Sequence, residues 1–88
     1  MVKLIYTNRF LKSAKKLPLK IQDKLGSKLE ILQENPFNSL LHTKPLTGRL
    51  VGFYSFRITR DWRVIFLFID SKTVKLINVA HRKEVYRK

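Results

Sequence analysis

The stretch GFYSFRITRDWRVIFLFIDSKTVKLINVAH, residues 52–81, decides the fold. It holds three runs rich in β-branched and aromatic residues, at 52–59, 63–70 and 73–80. Such side chains suit the pleated, half-buried surface of a sheet. Arg60-Asp61-Trp62 and Ser71-Lys72 separate the runs, and both spacers are short enough for tight turns. Three strands joined this way form an antiparallel meander. The middle run, Val64-Ile65-Phe66-Leu67-Phe68-Ile69, is apolar on both faces. That predicts a central strand covered on both sides.

Upstream, Lys3-Leu4-Ile5-Tyr6-Thr7 reads as a short strand, and Thr7 and Asn8 are favoured helix N-caps. Phe10, Leu11, Ala14 and Leu17 then share one helical face, with Lys12, Lys15 and Lys16 pointing out. Pro18 stops this helix and suits the first turn of another. In that second helix, residues 19–34, Ile21, Leu25, Leu29 and Leu32 form the apolar stripe, and Asn35-Pro36 ends it. Gly26 in mid-helix costs about 1 kcal/mol against Ala, so a close helix contact is expected there. The link between the helices is too tight for anything but a hairpin. Residues 36–48, with Pro36, Pro45 and Gly48, read as an irregular loop. The order is β-αα-βββ with a basic tail. It predicts an α+β domain whose N-terminal strand and helical hairpin pack on a small antiparallel sheet.

At 88 residues the chain holds one domain, 1–88. Its 44% hydrophobic content can fill one core, which excludes a disordered basic tail. The absence of cysteine excludes a disulfide scaffold and a thiolate metal site. Two histidines and six scattered acids argue against structural zinc or a calcium loop, so no cofactor is expected. The longest apolar run, residues 64–69, is too short to span a membrane, and the N-terminus does not read as a secretory signal. The cytoplasm is the expected compartment.

Nineteen Lys and Arg against six Asp and Glu leave a net charge of +13. Solubility alone needs less, so a polyanionic partner is expected. Before residue 44 the basic residues are seven Lys and one Arg; from 44 onward they are six Arg and five Lys. Lysine suits a solvated helix face, whereas the arginine fork grips phosphate bidentately. The second half is therefore where chemistry is sought.

Arg57 closes the first meander strand and Arg63 opens the second. If the turn has three residues, Thr59 opposes Arg63 and Arg57 shares its face; if two, they diverge. The third strand returns antiparallel to the second, which brings His81 and Arg82 to the same end of the sheet as Arg63. Tyr86 follows four residues later and can fold back over it. Converging arginines repel unless an anion sits between them, and a phosphate is the natural guest. Strand cleavage by the RNA 2′-hydroxyl also needs a base for that hydroxyl and an acid for the leaving 5′-oxygen. His81 or Tyr86 can move such protons. Plainer readings stand beside these. Arg57 and Arg63 can form surface ion pairs with Asp61 or Asp70. His81 can be an ordinary strand-end histidine, Tyr86 a packing residue, and Trp62 a core cap rather than a base-stacking platform. His42 reads as a solvated loop residue. No Gly-rich phosphate loop is present, because Gly26, Gly48 and Gly52 are isolated.

The segment Leu46-Thr47-Gly48, then Gly52-Phe53-Tyr54-Ser55-Phe56-Arg57-Ile58, then Asp61-Trp62-Arg63-Val64-Ile65-Phe66, then Val79-Ala80-His81-Arg82-Lys83-Glu84-Val85-Tyr86, resembles the RelE/ParE superfamily of type II toxins. The helical hairpin ahead of the sheet fits the same pattern, so the resemblance spans nearly the whole chain. It implies a toxin neutralised by an acidic antitoxin, monomeric alone and hetero-oligomeric with that partner. In the RelE branch it implies metal-independent cleavage of mRNA in the ribosomal A site. The basic positions of that branch match Arg57, Arg63 and Arg82, and its tyrosine matches Tyr86. A departure is Ser55, where the RelE pattern carries a lysine; Lys44 in the preceding loop is the candidate replacement. Lys44, Arg49, Arg60, Trp62 and Lys83 are the expected RNA contacts around this set. The ParE branch shares the fold but poisons DNA gyrase and generally lacks the basic catalytic set. A third possibility is a basic binding module that uses the same groove without catalysis.

Overall fold

The structure is a computed structural model that describes residues 1–85 of the 88. The elements are β1 (Lys3–Tyr6), α1 (Asn8–Lys15), α2 (Leu19–Glu34), β2 (Lys44–Pro45), β3 (Tyr54–Arg57), β4 (Trp62–Asp70), β5 (Thr73–His81) and α3 (Arg82–Val85). Five strands form one sheet in the order β1-β5-β4-β3-β2, with β4 at the centre. The meander β3-β4-β5 is antiparallel, as the strand runs and short spacers predict. β1 departs from that pattern and lies parallel to β5, Lys3 opposite Thr73 and Tyr6 opposite Leu76. It covers an edge of β5 that would otherwise leave its backbone groups unpaired.

Thr7 ties this edge to the first helix. Its Oγ1 accepts a hydrogen bond from the Phe10 N–H (3.1 Å) and donates one to the Leu76 carbonyl (2.7 Å). One hydroxyl thus caps α1 and fixes its start on β5. The hairpin α1-α2 covers one face of the sheet, burying Phe10, Leu25 and Leu32 against Phe56, Val64 and Phe66. Leu11 leaves the expected stripe and is exposed, since α1 is only two turns long and Leu17 packs from beyond its end. On the other face Leu46, Ile65 and Ala80 form a smaller cluster, with Leu50 and Phe53 packed on it.

Several local expectations need correction. The segment expected to be an irregular loop contains β2, which pairs with β3 through Lys44 opposite Ser55 and Pro45 opposite Tyr54. Proline is tolerated there because β2 is an edge strand. The first meander strand begins at Tyr54, because Gly52 turns the chain at φ 95°. Trp62 belongs to β4 and not to the turn. β4 is covered on both faces only over its first half: residues 63–66 are buried, whereas Ile69 is exposed. No helix among the described residues is long and apolar enough to cross a membrane.

Gly26 makes no close packing contact. A Cβ built there meets nothing within 4 Å. Gly26→Ala is therefore expected to stabilise the fold by roughly 0.4–1 kcal/mol through helix propensity and a less free unfolded chain. Urea unfolding of both proteins measures this; a loss of stability would contradict the open environment.

Candidate active site

The β3–β4 turn is built from Thr59, Arg60 and Asp61. Arg57 stands directly opposite Arg63 in the ladder, and the Ile58 N–H donates to the Trp62 carbonyl (2.9 Å). Cross-strand partners share a face, so both arginines rise from the side of the sheet away from the helices. Arg63 is 5% exposed. Its Nη1 donates to the carbonyls of Thr59 (2.9 Å) and Arg60 (2.6 Å). The guanidinium thus holds the turn from beneath and still leaves other N–H groups to bind a ligand.

Asp61 joins the turn to the last element. Its carbonyl accepts the Arg82 N–H (2.7 Å), and its carboxylate Oδ1 lies 3.7 Å from Arg82 Nε. Both side chains are well exposed, so the ion pair itself contributes little; the backbone bond fixes where α3 begins. Neither Arg57 nor Arg63 pairs with Asp61 or Asp70 among the described residues. The surface-ion-pair alternative is therefore not what these arginines do.

An open cleft of about 440 Å³ lies at this corner, lined by Lys28, His42, Arg57, Arg60, Arg63 and Arg82. No carboxylate lines it. Such a site favours anions, and its arginine forks match phosphate geometry. Among the described residues, no group of three or more His, Cys, Asp or Glu is placed to hold a metal ion.

Of the residues expected at the site, Arg57, Arg60, Arg63 and Arg82 converge here. His81 does not. Ile65 pairs with Asn78 but Phe66 pairs with Leu76, so β5 carries an extra residue between them. Strict alternation from Val74 and Leu76 would put His81 on the face of Arg63. The bulge reverses the phase and turns His81 to the helix side. There its ring meets Trp62 edge-on at 5.3 Å, and its Nδ1 accepts the Lys83 N–H (3.2 Å). Trp62 packs partly on the main core and lines a separate groove with Arg9, Lys12 and Lys16. Lys44 lies opposite Ser55, which places it on the face of Arg57, although it does not line the cleft. Arg49 and Lys83 are exposed and also lie outside the lining. Tyr86 falls outside the described residues.

The cleft contains two groups that sequence reasoning missed. Lys28 donates from Nζ to the Leu40 carbonyl (3.2 Å) instead of joining a solvated lysine row. Its spacing gives a signal, since 28 falls between Leu25 and Leu32 on the apolar stripe of α2. His42 ends a 3₁₀ turn, Ser39–Leu41, in the left-handed conformation (φ 51°). Buried Leu41 anchors that turn, and no local pattern announces where the imidazole goes.

A family model described as ParE toxin of type II toxin-antitoxin system, parDE, matches residues 4–86. No curated protein matches the sequence. Among solved structures, a YoeB/ParE toxin from Agrobacterium tumefaciens is 21% identical with a TM-score of 0.77, over 92% of this chain and 99% of that one. YafQ from Escherichia coli is 18% identical with a TM-score of 0.77, over 98% and 99%. The toxin-antitoxin complex RelBE2 from Mycobacterium tuberculosis matches at 25% identity and TM-score 0.76, over 92% and 98%.

The two roles of Arg63 can be separated by stability. Arg63→Ala removes hydrogen bonds from a buried charged donor and is expected to cost about 1.5–3 kcal/mol. Arg82→Ala removes an exposed pair and should cost under about 1 kcal/mol. Urea unfolding of both variants checks this, and equal losses would contradict the clamp.

Proposed function

Because the chain belongs to the ParE toxin family of type II toxin-antitoxin systems, we propose that it acts by cutting mRNA in the ribosomal A site, without a metal ion. The observation that carries this reading is the cleft where Arg57, Arg60, Arg63 and Arg82 converge, with no carboxylate in its lining and Asp61 pairing Arg82 from outside it. A scissile phosphate calls for such a set, because negative charge grows on its oxygens as the 2′-oxygen attacks.

In this mechanism a base removes the 2′-hydroxyl proton and the 2′-oxygen bonds to phosphorus. The bond from phosphorus to the 5′-oxygen breaks, and an acid protonates that leaving oxygen. The products are a cyclic phosphate and a 5′-hydroxyl. Arg57 and Arg82 hold the phosphate, and Arg63 supports the turn while offering its remaining donors. His42 takes the place expected for His81 as the imidazole that can carry a proton, since it lines the cleft. Tyr86 remains a second candidate for that step.

The partner is an antitoxin, as in the RelBE2 toxin-antitoxin complex. With 19 basic and six acidic residues on the toxin, an acidic binding segment is favoured. A monomeric toxin that forms a hetero-oligomer with this antitoxin in the cytoplasm fits the reading. The ParE description of the family favours a second reading, in which the chain poisons gyrase.

Growth and mRNA 5′ ends after induction of wild type and Arg82→Ala separate the two. New 5′ ends inside translated codons are expected with wild type, falling about a hundredfold or more in the variant. Growth arrest without new 5′ ends, unchanged by Arg82→Ala, would overturn the ribonuclease reading in favour of gyrase.

A further inference from the structure

A second cavity of about 440 Å³ lies on the same outer face of the sheet as Arg57 and Arg63. Leu50, Phe53, Ile65, Ile77 and Ala80 give it apolar walls, and Asn78 adds an amide. Arg9 and Glu84 also line it, one cation and one carboxylate, so it lacks the excess charge of a phosphate site. Its size falls in the range of small-ligand sites.

One strand pairing links the two cavities. Ala80, in this groove, is the cross-strand partner of Arg63 in the cationic cleft. Ile65 and its partner Asn78 stand two residues further along the ladder, a rise of roughly 7 Å. That matches the reach from a phosphate across its ribose to the attached base. The β5 bulge sets this up, because Ile77 and Asn78 both line the groove where strict alternation would send one of them to the helices. Among the described residues the Asn78 side chain makes no hydrogen bond, and it is only half-buried. No described residue occupies its donor or acceptor.

We propose that this groove is a nucleobase subsite: it receives the base next to the scissile phosphate, with Phe53 giving stacking surface and Asn78 reading the base edge. Apolar walls beside an anion site suit single-stranded nucleic acid, in which bases are splayed out and stacked on side chains. An asparagine amide matches paired donor and acceptor groups on a base edge. Asn78 thus becomes the determinant of which base flanks the cut. The inference rests on the ribonuclease reading above.

The test maps mRNA 5′ ends for wild type, Asn78→Ala, Asn78→Asp and Phe53→Ala, and scores the base beside each cut. The distribution of bases among the cuts does not depend on how much folded protein is present, so partial destabilisation does not confuse the result. A wild-type preference of about tenfold is expected to flatten in Asn78→Ala and to change in Asn78→Asp, which loses the donor. Phe53→Ala removes the stacking surface and is expected to flatten the same distribution. If all variants cut with the wild-type distribution, the groove reads no base and the inference fails while the ribonuclease reading stands. That result together with weakened antitoxin binding would assign the groove to the antitoxin instead. If wild type makes no cuts, the ribonuclease reading fails and the subsite falls with it.

Discussion

Arg57 and Arg63 face each other directly across two hydrogen-bonded strands. Like charges at such positions oppose folding, because the backbone ladder fixes their separation. The fold accommodates the pair by binding one guanidinium to its own turn: Arg63 reaches the carbonyls of Thr59 and Arg60, and these dipoles stand in for a carboxylate. Arg57 receives no such relief from an acid among the described residues. The repulsion is thus built into the sheet, and an anion placed there would relieve it. Arg60 and Arg82 join the same corner because the turn and the start of α3 share Asp61.

The two faces of the sheet divide the work. The helical hairpin occupies one face, and the larger apolar cluster lies between it and the sheet. Stability is concentrated there, so the opposite face can carry charge with only a small cluster around Ile65. The segment from Leu46 to Phe53 covers part of that second face. What it leaves open is the cationic corner and the apolar groove beside it. A polyanion with flat apolar appendages fits such a surface better than a compact anion does.

Much of this was legible in the chain. The strand runs, the turn spacers and the two apolar helical stripes set the layers, and the arginines at the strand ends marked the corner where the cationic cleft lies. Phase was harder. A single extra residue in β5 moves His81 to the helix side and leaves Ile77 and Asn78 together on the other. Nothing in the run Thr73 to His81 signals that bulge, since Ile77 and Asn78 suit either face. Lys28 was legible in principle from its place on the α2 stripe, but its lysine neighbours made it look solvated. His42 depends on how Leu41 docks a short turn on the core, which is a tertiary choice. Gly26 shows the reverse error, where a costly residue invited a packing explanation that its open surroundings do not bear out.

The central claim is that the arginine corner holds a single-stranded RNA phosphate. It is tested most directly by NMR titration of the wild-type protein with a short RNA bearing a 2′-deoxy sugar at the cut position, which blocks attack. Saturable shifts are expected in the guanidinium signals of Arg57, Arg60, Arg63 and Arg82. Shifts confined to Lys12 and Lys15 on α1 and to Lys16 at its end, with the four arginines unmoved, would contradict this.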